Sequence, residues 1–514
     1  MSEFPLLTTL TGHVSRAGFF SRCAQLAALL AEGPDLPLIP LCGRRGDFMA
    51  ALVAGLASGR RIILPNDTGA SSLAAVASDA GPAILLLSPD DRPPDVGLPV
   101  LMTGPAGPTG DACEPAWRGG PAITLYTSGS TGCPMPHRHD PAFFLAGVAA
   151  WAERLELGTE PTSIVATVPP QHMYGLEASV MLPLVRPDTC AFDGRPFYPA
   201  DVQAALEAVN GQRVLVTTPL HLRAFVRAGL PLPPLHRIVS ATAPLDPALA
   251  TAAEALWQAP VIEVYGSTET GMVATRRPAH SALFVVRGDV RLTSTDDGAV
   301  ATGGHLPQPV RLHDHIAPET DGFRLLGRGG DLVNVAGKRA SLAGLTAQLL
   351  KIDGVEDGVI VVPDDGPLAR PVAIAVAPRL SAEALRTELR RCLPDVFVPR
   401  RVILVDTLPR AATGKLPAAE IDRLLMRFTI APDHPALAGH FPGNPVVPGV
   451  VVLDHALRLA GVREPAHLLS VKFHSILRPG ETCTVDLMRT ARGRAVTCRA
   501  GERTIATARL RADT

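Results

Sequence analysis

The chain has 514 residues, of which 46% are apolar and 19% charged, and its formal net charge is -1. That length is too great for one hydrophobic core and predicts two to four domains. The balanced charge excludes the basic surplus expected of a nucleic-acid partner. No apolar run reaches about 18 residues, and no basic segment leads into an apolar one at the start, so a cytoplasmic protein with no membrane span is expected.

In chain order, residues 1 to about 325 alternate short apolar runs with helical periodicity. Ile62–Leu64, Ala83–Leu87, Ser163–Ala166 and Val214–Val216 read as buried strands, and Cys23–Ala31 and Phe48–Ala57 as helices between them. Such alternation predicts stacked α/β layers. Gly327–Gly330 is a flexible break, after which an α+β pattern follows, with a strand over Gly358–Val362 and a helix over Ser381–Cys392. From Phe428 onward a third pattern holds one helix, Val450–Leu459, and strands over Cys483–Met488, Ala495–Arg499 and Thr504–Arg511. The expected domains are 1–329, 330–426 and 427–514. The eight cysteines (23, 42, 113, 133, 190, 392, 483 and 498) show no C-x-x-C pair and no histidines at metal-ligand spacing. They read as reduced, mostly buried thiols.

Several segments carry chemistry. Thr127-Ser128-Gly129-Ser130-Thr131-Gly132 follows the apolar run Ile123–Tyr126, and its hydroxyls and glycines suit a backbone that wraps a phosphate closely. Tyr265-Gly266-Ser267-Thr268-Glu269-Thr270 ends another apolar run and puts a carboxylate where a Mg²⁺ carried by ATP could be held. Gly327-Arg328-Gly329-Gly330-Asp331 comes next, and then Leu408–Lys415. Only four of the 48 basic residues are lysines (Lys338, Lys351, Lys415 and Lys472), so an ammonium kept at Lys415 marks a working group. A compact charge on a flexible stem reaches a single oxygen in a way that a planar guanidinium does not.

In order and spacing, these segments resemble the adenylate-forming superfamily of acyl-CoA synthetases, aryl ligases and peptide-synthetase adenylation domains, over residues 1 to about 425. The resemblance implies a large N-terminal α/β domain, a small mobile C-terminal subdomain, and ATP with Mg²⁺ as cofactors. It implies that Thr127, Ser128, Gly129, Ser130, Thr131 and Gly132 line the ATP phosphates. Ala243 within Ser240–Pro244 would meet the adenine, and Tyr265, Gly266, Thr268, Asp314 and Arg328 the rest of the nucleotide. Asp314 would take the ribose hydroxyls, Glu269 the Mg²⁺, and His172 would gate the acyl site. Lys415 would neutralise charge at the α-phosphate during acyl-adenylate formation, and Gly330 would sit at the hinge. Two departures stand out. Met135, in Cys133-Pro134-Met135-Pro136, occupies the place of the family's loop lysine, with His137, Arg138 or His139 as candidate substitutes. Gly330 replaces the usual Asp or Lys at the hinge. Gly337-Lys338-Arg339-Ala340-Ser341-Leu342 resembles a variant found in ligases of aryl polyene clusters, which implies an aryl acid passed to an acyl carrier protein.

Gly439-His440-Phe441-Pro442-Gly443-Asn444-Pro445-Val446-Val447-Pro448-Gly449-Val450 resembles the hot-dog-fold 3-hydroxyacyl-ACP dehydratases. The resemblance implies that His440 removes the C2 proton, and that Asp454, fourteen residues later, helps the C3 hydroxyl leave. N–H groups near Gly449 would stabilise the enolate-like oxygen. Hot-dog sites form between paired units, which implies a homodimer through this domain. The expectation is a multidomain α/β and α+β enzyme. It would activate a small carboxylic acid, load it onto the phosphopantetheine of a carrier protein, and dehydrate 3-hydroxyacyl groups. The alternatives are a CoA ligase, with a hot-dog domain that only dimerises or acts as a thioesterase, or a ligase module that only binds acyl groups.

Overall fold

The computed structural model describes residues 4–103, 122–128, 134–286, 288, 290–328, 332–335, 338–363, 370–411, 414, 416–460, 468–490 and 493–511. The chain divides into two units, Met1–Gly329 with Arg410–Lys415, and Gly330–Pro409 with Leu416–Thr514.

In the first unit, the apolar runs become strands because their β-branched and aliphatic side chains are buried on both faces, as parallel sheets require. Thr162–Ala166 lies between Thr189–Phe192 and Gln212–Thr217, and Arg237–Ser240 and Val261–Ser267 extend the same parallel array. Gly271–Arg276 and Val285–Val286 add antiparallel strands at one margin, and Leu7–Thr8 and His13–Val14 complete the other. A second sheet runs Val100–Met102, Ile84–Leu87, Leu38–Pro40, Ile62–Leu64, Ile123–Ser128 and Pro134–His139. The helix Arg45–Ala57 is apolar almost all round, and every residue from Arg45 to Leu56 is buried, as expected of a helix with no solvent face. Its guanidinium Arg45 is buried too, and donates to the Ser179 hydroxyl and to the carbonyls of Ala166 and Val168. Those bonds tie the end of a central strand to the π-helical turn Glu177–Met181. A three-stranded sheet over 291–312 and the hairpin of Asp314–Glu319 with Gly322–Arg328 follow.

The second unit begins with the hairpin Leu332–Val335 and Lys338–Ser341. It continues as a sheet of Asp357–Val361, Val372–Val376 and Arg401–Leu404, packed by the helices Leu342–Leu349 and Ala382–Cys392. The last part is an antiparallel sheet in the order Arg427–Thr429, Thr482–Thr490, Gly493–Ala500, Arg503–Arg511, Leu468–Phe473. It wraps the helix Gly449–Leu459, whose Val452 and Ala456 are buried against it. A sheet rolled around one central helix is the hot-dog fold. Its outermost strand, Leu468–Phe473, exposes Leu468, Leu469 and Phe473. Of the six cysteines among the described residues, all are free thiols and five are buried; Cys113 and Cys133 lie outside the described residues.

Candidate active site

Thr127 closes the strand Ile123–Ser128, and its hydroxyl lies 3.0 Å from His137 Nε2 on the neighbouring antiparallel strand. The same imidazole nitrogen is 3.6 Å from Glu269 Oε1. One histidine thus joins the start of the predicted phosphate loop to the predicted metal carboxylate. The loop that carries Glu269 is clasped from two sides. His139 Nε2 donates to the Thr268 carbonyl at 2.8 Å, and His305 Nε2 to the Thr270 carbonyl at 2.6 Å. Burial pushes both imidazoles below the usual histidine range, so the neutral donor tautomer is favoured in each. Of the three candidate substitutes for the loop lysine, His139 is buried and spent on this carbonyl, Arg138 is exposed on the Tyr126 side, and His137 faces Thr127 and Glu269.

The bulge at Tyr265 and Gly266 turns the end of the strand Val261–Ser267. A Cβ at Gly266 would lie 2.1 Å from the Gly271 carbonyl oxygen, so only glycine permits the turn. Tyr265 packs its ring against Phe284 and Phe323 and donates its hydroxyl to Asp314 Oδ2 at 3.2 Å. Two residues chosen separately from the sequence therefore meet. Ala243 is exposed, beside Thr242 at φ 79°. The chain just after it is held by the buried Glu263, whose Oε1 accepts from the Leu245 N–H at 2.9 Å while Oε2 accepts from Arg276 at 2.6 Å. Burial raises the Glu263 carboxyl, and Arg276 opposes that rise.

His172 precedes the helical turn Met173–Leu176 and accepts its first bond, from the Leu176 N–H at 2.7 Å. Gly414 takes φ 80°, and a Cβ there would lie 3.8 Å from Leu220 and from Thr218 Oγ1, at the start of the helix Pro219–Ala228. Gly129, Ser130, Thr131, Gly132 and Lys415 lie outside the described residues, as do the side chains of Ser128 and Arg328. Among the described residues no cluster of three or more His, Cys, Asp or Glu side chains forms a cage for an ion. The oxygens at this strand end are the Glu269 carboxylate and the Thr127 hydroxyl, both beside His137, a set that fits a Mg²⁺ held mainly by phosphate.

Sequence reading missed the buried partners. Glu177 accepts from Trp151 Nε1 at 3.0 Å and from the Met272 N–H at 3.1 Å. A lone carboxylate in the apolar stretch Met173–Leu184 was the available signal. His221, bonded to Thr167 at 2.9 Å and pushed down to about 4 by burial, was also missed.

In the second unit, His440 Nδ1 donates to the Val446 carbonyl at 2.8 Å, which turns its other nitrogen toward a cavity of about 280 Å³. Gly449 and Phe473 share that cavity, and a Cβ at Gly449 would strike the Phe473 ring at 2.7 Å. Asp454 is not among the described residues lining it. Its carboxylate accepts from Arg458 Nε at 3.0 Å, one helical turn on.

Together the layered α/β unit, the strand-end cluster and the α+β segment define an adenylate-forming ligase, followed by a hot-dog domain. The chain matches the AMP-binding enzyme family over residues 6–295, more than half its length, and belongs to that family. It also matches the AMP-binding enzyme C-terminal domain over 347–415 and the ApeI dehydratase family over 417–509. A 4-coumarate–CoA ligase of Cereibacter sphaeroides is 30% identical over 302 residues, covering 57% of this chain and 70% of that protein. Another from Halorhodospira halophila is 28% identical over 311 residues, covering 57% and 74%. Among solved structures, an o-succinylbenzoate CoA synthetase of Bacillus subtilis bound to its acyl-adenylate shares the fold. Its TM-score is 0.69 at 18% identity, over 80% of this chain and 94% of that one. An amide bond synthetase of Marinactinospora thermotolerans does so at TM-score 0.67 and 20% identity, over 82% and 96%. No helix among the described residues is long and apolar enough to cross a membrane.

Proposed function

We propose that the chain activates an aryl carboxylic acid with ATP, transfers it to the thiol of a phosphopantetheine-bearing carrier protein, and dehydrates 3-hydroxyacyl groups on that carrier during aryl polyene synthesis. The observation that carries the ligase half is the convergence of Thr127, His137 and Glu269 at one strand end, with Tyr265 and Asp314 paired beyond it.

The acid's carboxylate attacks the α-phosphorus of ATP, the bond to the bridging oxygen breaks, and pyrophosphate leaves with the electron pair. Thr127 and its loop hold the phosphates, Asp314 the ribose, and Lys415 meets the oxygen charge that builds at phosphorus. A Mg²⁺ on Glu269 would supply further neutralisation of the phosphate charge. A thiolate then attacks the acyl carbon, and AMP departs. Acid-dependent ATP–pyrophosphate exchange tests this half. It should fall by orders of magnitude in Lys415→Ala, and its absence with every acid in the unaltered chain would leave only an acyl-binding module.

In the hot-dog half, His440 takes the C2 proton while hydroxide leaves C3 as water with a proton from Asp454. Asp454 does not line the cavity of its own subunit, which supports a site completed by a second copy and a homodimer through this domain. Loss of 3-hydroxyacyl-ACP dehydration in His440→Ala, with dimerisation kept, separates this reading from a scaffold. CoA as acceptor is the second reading, favoured by the 4-coumarate–CoA ligases among the relatives. Transfer of the activated acid to CoA or to phosphopantetheinylated carrier, measured side by side, decides between them.

A further inference from the structure

Between the strand Thr189–Phe192 and the helix Pro199–Ala208, the chain turns a cation and two aromatic rings toward solvent. Arg195 is exposed, as are 43% of Phe197 and 68% of Tyr198. Among the described residues no carboxylate pairs with Arg195, whose Cζ lies 5.9 Å from the centre of the Phe197 ring. The nearest acid in sequence, Asp193, is already spent. Its Oδ1 accepts from the Gly46 N–H at 2.6 Å and its Oδ2 from Arg44 at 2.8 Å. The groups that feel the charge of Arg195 are Arg45 and His221, and it disfavours a proton on both. Crowding lowers the Arg195 guanidinium below the usual arginine value, with no acid to oppose that. A crowded cation among groups of its own sign is an arrangement that an anion relieves.

This patch is continuous with the loop that ends in Lys415. The Phe197 ring lies 5.5 Å from Tyr198 and 4.9 Å from His221, centroid to centroid. The His221 N–H donates to Thr218 Oγ1 at 3.4 Å, at the start of the helix Pro219–Ala228. The same oxygen lies 3.8 Å from the Cβ position of Gly414, the residue before Lys415. The His221 ring also meets Thr167 at 2.9 Å, on the segment that leads to His172. Every link lies within the first unit. A guanidinium, two rings and a helix start thus lead, neighbour by neighbour, from open solvent to the loop of Lys415.

We propose that Arg195 binds the phosphate at the head of the incoming phosphopantetheine arm, with Phe197 and Tyr198 flanking the arm as it runs in toward the helix start at Thr218. This rests on the reading that the first unit hands its activated acid to a phosphopantetheine thiol, and it gives that arm a point of entry. The arm is an uncharged chain with a thiol at one end and a phosphate at the other. A site must therefore hold the phosphate at one point and leave the thiol free at another. A planar guanidinium donates two parallel N–H bonds to phosphate oxygens, and exposed ring faces cover the methylenes of the arm. The phosphate is common to a carrier-borne arm and to coenzyme A, and Arg195 reads that shared group.

Binding to the full chain, measured by calorimetry, tests this without relying on turnover. The probes are phosphopantetheine, pantetheine, coenzyme A and a peptide whose serine bears the phosphopantetheine group. Phosphopantetheine should bind about tenfold more tightly than pantetheine, which lacks only the phosphate, and added salt should narrow the gap. Arg195→Ala should bring the two within about twofold, and Arg195→Lys, which keeps the charge without the fork, should retain part of the gap. A peptide that binds at least as tightly as coenzyme A assigns the phosphate to a carrier. Tighter coenzyme A, with the same loss in Arg195→Ala, assigns it to the nucleotide acceptor. Equal binding of phosphopantetheine and pantetheine by the unaltered chain, or a ratio untouched by Arg195→Ala in the folded variant, overturns the proposal. So does binding of none of the probes. Acid-dependent pyrophosphate exchange keeps the two readings apart. Exchange without a phosphate preference removes the role of Arg195 and leaves the ligase, whereas phosphate-selective binding with no exchange removes the ligase and leaves the role of Arg195.

Discussion

Met135 stands directly across the antiparallel ladder from Thr127, with 53% of its surface exposed. An uncharged thioether therefore borders the phosphate loop, and the nearby nitrogen comes from His137 on the same face of the strand. Restoring an ammonium by Met135→Lys is expected to raise acid-dependent pyrophosphate exchange by about threefold to tenfold. His137→Ala, which removes the bridge between Thr127 and Glu269, should lower it by about tenfold. Initial exchange rates at saturating ATP read both.

The Tyr265 hydroxyl orients the Asp314 carboxylate. Tyr265→Phe leaves the ring packing on Phe284 and Phe323 in place and removes only the donor. The KM for ATP should rise by about fivefold to tenfold, with kcat within about twofold and the KM of the acid unmoved, as expected for one lost bond to a charged group. A fall in kcat with unchanged ATP affinity would place Asp314 elsewhere in the reaction.

Burial raises the Glu177 carboxyl from 4.5 to about 7. Between those values the folded chain keeps a proton that the unfolded chain releases. The associated stability is fully present below about pH 4.5 and is lost as pH rises through about 7. Glu177→Gln removes that dependence. The stability of the unaltered chain relative to the variant should therefore decline across the window by up to about 3 kcal/mol, then level off above about pH 8. Thermal unfolding of both proteins from mildly acidic to mildly alkaline buffer checks the sign.

If each dehydratase site takes His440 from one subunit and Asp454 from the other, two dead variants can rescue each other. Equal amounts of His440→Ala and Asp454→Ala, unfolded and refolded together, should recover about one quarter of full dehydration activity, because half the dimers then hold one intact site of two. Each variant alone should stay inactive, and a mixture that recovers nothing places both residues in the same subunit's site.

Much of the layout was legible from residue order. Ile62–Leu64, Ile84–Leu87 and Thr162–Ala166 formed strands where β-branched and aliphatic runs fell between turn residues. The helix read from Val450 to Leu459 begins one residue earlier, at Gly449. The pairing of Tyr265 with Asp314 was half legible: both residues were singled out, yet nothing in a linear pattern says that a hydroxyl will reach a carboxylate 49 positions away. The clasp of His139 and His305 on Thr268 and Thr270 was not legible at all. Histidines that bond backbone carbonyls leave no periodic trace, and His305 becomes a neighbour of Thr270 only once the sheets have formed. Glu177 was passed over for a similar reason, because the partners that keep it buried come from a different helix and a different strand.

The strand Leu468–Phe473 ends its sheet with aliphatic and aromatic side chains open to water. Such a hem is half a zipper, because an edge strand offers its unpaired peptide groups as a template for another extended segment.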